Sequence, residues 1–378
     1  MALQRKKKIK FVDLYKINKI YKNKIIKGIN SIIENSEFIN GSNVKEFEKE
    51  FAKINKAKYC QSCGNGTDAI FASLRALNIN KGDEVILSSH DWISSSESVL
   101  ACGAKPIFVD TKKNSFLIDE NKIEQKITNK TKAIILVHIY GQVVNLEKIL
   151  KICRKNKIKI IEDCAQSHLA KYKNKYVGTI GDVGCFSFFP TKNLGAFVDA
   201  GAILTNNLTL YKRIKMICNH GGLKKNQHNI NGINSRLDNI QALILSEKLT
   251  SLKKENNLRR LKAKYYISLL SSINQIKIIE NKNKDLDNVY HLFVVQAKNR
   301  DKLRKYLLKS GIETSLHYPK LIPFLKVNKF LKNKSKNFIN SIKLNKEIIS
   351  LPFHPHITSK EIRDVCFEIR EFYQKEFK

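Results

Sequence analysis

Ile161-Glu162-Asp163-Cys164-Ala165-Gln166-Ser167-His168 and Ser187-Phe188-Phe189-Pro190-Thr191-Lys192-Asn193-Leu194-Gly195 are the two stretches on which the reading of this chain turns. The first closes an apolar run with β character, Ile158 to Ile161, on a carboxylate. The second closes another, Val183 to Phe189, on a lysine behind a proline turn. A lysine amine that can form an imine with an aldehyde, together with an aspartate that keeps a pyridine nitrogen protonated, is the pair that pyridoxal 5'-phosphate needs in order to act as an electron sink. Asp163 and Lys192 are the candidates for those two groups. Asp163 also has a plain competing role as the N-cap of a helix over 164–168. A surface lysine is the default in so basic a chain; Lys192 stands out through its buried-type aromatic run before it and Asn193-Leu194-Gly195-Ala196 after it.

Working outward, residues from about 44 alternate helix and strand, which predicts an α/β domain with a largely parallel sheet. Strands are expected at 83–88, 105–110, 133–139, 157–161, 185–189 and 202–205, and a helix at 146–154. Asn43 with Glu46 has capping-box spacing ahead of the Val44, Phe47, Phe51, Ile54 face. One long helix, Arg236 to Lys254, is expected to connect to a C-terminal lobe with a strand at 288–296, a helix at 301–310 closed by Gly311, and a last helix from about Ser359. The expected division is 1–245 for a large cofactor-binding α/β domain with an N-terminal arm, and 246–378 for a smaller domain.

Gly64-Asn65-Gly66-Thr67-Asp68 opens a helical run, Ala69 to Leu77. Free N–H groups and a positive dipole end at such a turn suit a phosphate, with the Thr67 hydroxyl as a further donor. Such turns also occur for geometry alone.

At 378 residues and 42% apolar composition the chain can bury two cores. Its apolar runs fall short of the roughly 18 residues of a membrane span, and the N-terminus lacks a signal-peptide stretch, so a cytoplasmic protein with no membrane partner is expected. The net charge of +35 suggests nucleic acid, but the lysines are spread along the whole chain among Ile and Asn rather than gathered on one helix or arm. No nucleic-acid partner is therefore expected, and the run Arg5 to Lys10 reads as a solvated arm. A positive field favours anionic substrates in general. The eight cysteines are scattered; Cys60-Gln61-Ser62-Cys63 has zinc or redox spacing but no second ligand pair, and no metal is expected.

Asn65-Gly66-Thr67-Asp68-Ala69, Val137-His138-Ile139-Tyr140-Gly141-Gln142, Ile161 to His168, Ser187 to Gly195, Asn219-His220-Gly221 and Asn234-Ser235-Arg236-Leu237-Asp238 resemble, in this order, the DegT-type nucleotide-sugar aminotransferases, over residues from about 10 to the end. The resemblance implies an aspartate-aminotransferase-like fold (fold type I): a large domain with a mixed, mostly parallel sheet plus a smaller α+β C-terminal domain. It makes Lys192 the Schiff-base lysine, Asp163 the partner of the pyridine nitrogen and Gln166 the donor to the ring oxygen. Gly66, Thr67 and Ser187 would hold the phosphate, joined by Asn234 from a second subunit, which implies a homodimer with shared active sites. Trp92 stands where the family places a ring-stacking aromatic; a core tryptophan is the alternative. His317 and Tyr318 match a segment that approaches the sugar from the smaller lobe.

The resemblance further implies amino transfer from glutamate to a nucleotide-linked keto sugar for surface-glycan (lipopolysaccharide) biosynthesis. The Tyr140-Gly141-Gln142 and Asn234 segments are most similar to members acting at C-3 of a dTDP-3-keto-6-deoxyhexose. C-4 transfer, a UDP-sugar, or a dehydratase or sensor of the same fold are the alternatives; a family branch that dehydrates sugars carries histidine in place of the lysine. Two departures stand out: Phe197-Val198-Asp199-Ala200-Gly201-Ala202 where relatives show Gly-Asp-Gly-Gly-Ala, and Leu169 where they often carry Gly.

Overall fold

The computed structural model describes residues 8–224, 226–280 and 283–376. The helices are α1 (Leu14–Asn18), α2 (Lys22–Glu34), α3 (Ser42–Asn55), α4 (Gly66–Ala76), α5 (Ser94–Ala101), α6 (Glu147–Lys155), α7 (Leu208–Cys218), α8 (Asn239–Leu249), α9 (Leu252–Leu270), α10 (Arg300–Lys309), α11 (Ile339–Glu347) and α12 (Ser359–Glu376). The strands of the main sheet are β1 (Tyr59–Cys63), β2 (Glu84–Ser88), β3 (Lys105–Val109), β4 (Thr131–Val137), β5 (Lys159–Asp163), β8 (Val183–Ser187) and β9 (Gly201–Thr205). A two-strand hairpin, β6 (Lys171–Tyr172) with β7 (Lys175–Tyr176), lies between β5 and β8, and β10 (Ile276–Ile278), β11 (Phe293–Ala297) and β12 (Ile348–Leu351) form a separate antiparallel sheet.

The seven strands run in the order β1-β9-β8-β5-β4-β2-β3. Neighbours from β8 to β3 are parallel, while β9 is antiparallel to both β8 and β1. Sequences such as Ile134-Ile135-Leu136-Val137 and Val85-Ile86-Leu87 are apolar on both faces because helices cover both sides of this sheet. The carboxyl ends of β1, β2, β4, β5 and β8 therefore open on one edge, where crossover sheets place ligands.

Phe47 and Phe51 of α3 meet Phe186 and Phe188 edge-on at ring distances of 5.0 to 5.4 Å, locking α3 over the end of β8. A second core, built from α9, α10, α12 and the small sheet, includes Tyr266, Phe293, Phe353 and Ile369.

Several local expectations are revised. The connector is two helices: α8 ends at Leu249 and α9 starts at Leu252, across Thr250 and Ser251. Asn43 is inside α3, whose N-cap is Gly41; the cap function passes to Glu37, which accepts from the Ser42 amide at 3.2 Å and hydroxyl at 2.7 Å. Of the run Arg5 to Lys10, residues 5–7 lie outside the described residues; Lys8 and Lys10 are exposed, as a solvated arm would have them, while Ile9 between them is docked. Ile9 is buried in a bridge to Ile312, and Lys8 pairs with Glu313 at 2.7 Å.

Candidate active site

Most site side chains sit at or within a few residues of a strand end; His317 and Tyr318 come from the segment between α10 and α11. β5 ends at Asp163, and the next residues form turns rather than a helix, so the N-cap role falls away. Its Oδ1 accepts the Ala165 amide at 2.9 Å. β8 ends at Ser187, and the turn through Pro190 is closed by the Lys192 amide donating to Phe189 O at 2.8 Å. The far side of this turn is pinned from two directions. Asn193 Nδ2 donates to Asn256 Oδ1 (2.9 Å) and Val289 O (3.2 Å), and the buried Lys248 ammonium donates to Gly195 O and to Asn18 Oδ1 (2.9 Å).

Asp163 and Lys192 share a cavity of about 560 Å³ at the carboxyl edge of the sheet, with Gly66, Thr67, Trp92, Gln166, Ser187, His317 and Tyr318 also in its wall. Trp92 is 54% exposed, which rules out the core reading; its ring leans on Tyr318 at 5.2 Å. Burial brings the Lys192 amine down to about 8, against the opposing pull of Asp163 and Asp91. Burial raises the Asp163 carboxyl, while the Ala165 amide and Lys192 act the other way. A buried carboxylate of this kind is best satisfied by a cation, which a pyridinium supplies.

Gln166 is oriented by the backbone. Its Oε1 accepts the Tyr140 amide at 2.6 Å, so its NH2 group is left to donate, and it reaches the Tyr318 hydroxyl at 3.0 Å. Tyr140 itself adopts a left-handed backbone (φ 59°), and its hydroxyl is held by His90 Nε2 at 2.7 Å and by His317 O. His317 is in turn tied to β12 through Ser350 Oγ at 2.9 Å, which fixes the small-lobe segment against the cavity.

At the other end of the cavity α4 begins. Asn65 Oδ1 caps the Asp68 amide at 2.8 Å, leaving the Gly66 and Thr67 amides in the first turn without helical partners. Gly66 is required for space: a Cβ there would lie 2.6 Å from Ser187 Cβ. Thr67 Oγ1 and Ser94 Oγ meet at 2.8 Å in the same wall. Asn234 does not reach this cavity. It is exposed beside Ser235, whose hydroxyl receives the Gly64 amide (2.9 Å) and donates to Asp68 (2.6 Å).

An amine for an aldehyde, a carboxylate for a ring nitrogen, an oriented amide NH2 for a ring oxygen, and a helix start with hydroxyls for a phosphate make a donor set that fits pyridoxal phosphate. Sequence reasoning missed Asp91 and Ser94, which also line the cavity; the one available signal was their place just past the apolar strand that ends at Ser88.

Two other clusters are closed. Cys60 and Cys63 are three apart on β1 and so point to opposite faces, and burial pushes both thiols up. His138, Glu162 and Cys164 lie together beneath Asp163, but His138 Nδ1 accepts the Val144 amide (3.1 Å), so its Nε2–H is the donor to Glu162 (3.2 Å). Glu162 also accepts the Ile180 and Gly181 amides at 2.8 and 2.7 Å. These groups satisfy one another.

Residues 19–370 match the family described as DegT/DnrJ/EryC1/StrS aminotransferase. The chain is 41% identical to a dTDP-3-amino-3,6-dideoxy-alpha-D-galactopyranose transaminase of Aneurinibacillus thermoaerophilus, over 96% of this chain and 99% of the relative. The fold superposes on DesV of S. venezuelae, solved with a ketimine intermediate, with TM-score 0.94 and 32% identity over 97% of this chain and 98% of that one. It also superposes on NtdA of Bacillus subtilis with bound cofactor PMP, with TM-score 0.91 and 30% identity over 99% and 87% of the two chains. This chain belongs to the DegT/DnrJ/EryC1/StrS aminotransferase family.

Proposed function

We infer that this pyridoxal phosphate-dependent nucleotide-sugar aminotransferase takes its amine from glutamate and delivers it to C-3 of a dTDP-3-keto-6-deoxyhexose. The observation that carries the reading is the convergence of Lys192, Asp163 and Gln166 on one cavity, with the bare first turn of α4 and Ser187 at its far end. The choice of C-3 and of the dTDP carrier rests on the Aneurinibacillus relative, whose name specifies a dTDP-3-amino sugar.

In this reading the cofactor supplies an electron sink for the substrate carbon. Lys192 is the Schiff-base lysine, and with an amine brought down to about 8 it takes and returns the proton at that carbon near neutral pH. Asp163 holds the proton of the ring nitrogen, Gln166 donates to the ring oxygen, and Trp92 covers the ring. Gly66, Thr67 and Ser187 bind the phosphate, and His317 and Tyr318 meet the sugar.

Asn234 reaches the phosphate of a partner subunit, so the working unit is a homodimer related by a two-fold axis. Exposed apolar side chains such as Ile26, Ile33, Phe38, Ile39, Phe197 and Val198 are available for burial against a second copy. No described helix is long and apolar enough to cross a membrane. We place the enzyme in the cytoplasm, supplying amino sugars for surface glycans such as lipopolysaccharide. Incubation with glutamate alone should release 2-oxoglutarate, and a panel of nucleotide-linked keto sugars should give its best turnover with the dTDP 3-keto compound. A dehydrated sugar without 2-oxoglutarate would overturn the reading.

A further inference from the structure

The cavity holds a second buried carboxylate that the scheme above leaves unused. Asp91 lies three residues beyond the end of β2, is 5% exposed, and lines the same cavity as Lys192 and Asp163. One of its oxygens is fixed: Oδ1 accepts the Trp92 amide at 2.6 Å. The Ser95 hydroxyl also bonds it, and Asp163 faces it with like charge. The Tyr140 and Tyr318 phenols both feel its charge, and burial holds both of them protonated. The only cation facing it among the described cavity residues is Lys192.

We propose that Asp91 is a positioning residue that supplies the counter-charge to the Lys192 nitrogen when Asp163 is engaged by the cofactor's ring nitrogen. Two carboxylates and one lysine in a desolvated pocket cannot all be charged independently. Burial, and next the charge of Asp163, push the Asp91 carboxyl up, while the Ser95 hydroxyl, the Trp92 amide and Lys192 act the other way. A ring-nitrogen cation against Asp163 cancels that repulsion. What then favours the charged form of Asp91 against its burial is the pair of donors from Ser95 and Trp92 and the charge of Lys192, the one lysine or arginine among the described cavity residues. The division of labour gives each buried cation its own carboxylate, with one at the end of β5 and one past the end of β2.

The other groups that bear on Lys192 are His168 after β5, His291 before β11 and His317 from the small lobe, with Asp199 at the rim. Burial lowers all three histidines, His168 to about 3 and His317 to about 4, so they stay neutral and leave the two aspartates to set the field.

The test is an absorbance titration of the holoenzyme between pH 6 and 10, reading the protonation of the nitrogen that joins Lys192 to the cofactor. Asp91→Asn keeps the acceptor for the Trp92 amide and removes the charge; its midpoint should fall by about one unit, a tenfold loss of proton affinity. Asp91→Glu should titrate close to the parent. If the Asn protein does not retain cofactor, Asp91→Ser, which clears the side chain, is read in the same way. A midpoint in the charge-removed variant equal to or above that of the parent overturns the proposal.

Discussion

Substituting Gly66→Ala tests the proposed phosphate cradle separately from the rest of the site. Gly66 does not have a positive φ, so alanine suits its backbone, and its need for glycine is a matter of room. The added Cβ would stand 2.6 Å from Ser187 Cβ and 3.2 Å from Ser187 Cα, where carbon pairs rest at about 3.5–4.0 Å. About 1 Å of overlap must be relieved by parting the start of α4 from the end of β8. Overpacking of this size costs about 1–3 kcal/mol, and the gain in helix propensity recovers at most about 1 kcal/mol of it.

The same movement pulls the Gly66 and Thr67 amides away from the Ser187 hydroxyl. Hydrogen bonds to a charged group contribute about 1.5–3 kcal/mol each, so the loss of one weakens cofactor binding by roughly 10- to 100-fold. Titrating the cofactor-free protein with pyridoxal phosphate gives the Kd, and calorimetry of the same protein gives the Tm. In Gly66→Ala with Ser187→Gly the Tm should recover, because the opposing Cβ is gone, while the Kd should not, because the hydroxyl went with it. A Gly66→Ala protein with its Kd within about twofold of the parent and a lowered Tm would show that the phosphate sits elsewhere.

Lys192→Ala should abolish the absorbance of lysine-bound cofactor and all turnover, while Asp163→Asn should retain some cofactor and lose most of the rate; a Lys192→Ala protein that kept its band would refute the assignment. With the amine at about 8, stopped-flow capture of the cofactor by the free enzyme should rise about fivefold from pH 7 to 8 and level off above 9, whereas an ordinary lysine would keep climbing past 10. Despite its burial, Glu162 is held below the usual carboxylate range by His138 and by backbone amides. Its contribution is therefore present above about pH 4.5 and lost as pH falls through the lowered value, so Glu162→Gln should cost about 2–3 kcal/mol at pH 7 by denaturant unfolding, with the gap to the parent closing in acid. If Asn234 acts across a dimer, mixing Asn234→Ala and Lys192→Ala protomers should restore one site per hybrid to parental cofactor affinity, and the absence of any high-affinity site would argue against the shared arrangement.

What could be read from the sequence is what strands write into it. The apolar runs before Asp163 and Lys192 mark where two strands lie but not their ends: strands expected at 157–161 and 185–189 are found at Lys159–Asp163 and Val183–Ser187. The boundaries of Glu84–Ser88, Lys105–Val109 and Gly201–Thr205 were legible to within a residue. The cap of α3 was not, because the acceptor is Glu37, five residues upstream, brought round by a turn that no local spacing encodes. α2 was also missed, although Ile25, Ile26, Ile29, Ile32 and Ile33 recur at helical spacing in Lys22–Glu34; the helix was legible there and went unread. Asp91 was missed on different grounds. Its place just past the apolar strand that ends at Ser88 is the one hint in its flanks; it is the fold that brings it into one cavity with Lys192.

The two departures from the family pattern have separate physical answers. In Phe197-Val198-Asp199-Ala200-Gly201, neither Val198 nor Ala200 takes a left-handed backbone, so side chains are tolerated there, and Val198 simply projects outward. Gly201 is different: a Cβ on it would run into the backbone carbonyl of Asn65, the residue that caps α4. The glycine kept is the one that lets β9 pack against the turn that opens α4. Leu169 does take the left-handed conformation (φ 60°), at a cost of about 1–2 kcal/mol for a residue with a Cβ. Its side chain is buried in the main core, and burial of a leucine returns about 1.5–3 kcal/mol. Leu169→Gly should therefore trade backbone relief against lost packing and shift stability by no more than about 2 kcal/mol, with cofactor affinity unchanged, because Leu169 lies outside the cavity wall. A large loss of cofactor in that variant would mean that the strained turn, and not the strand end before it, sets the position of Gln166.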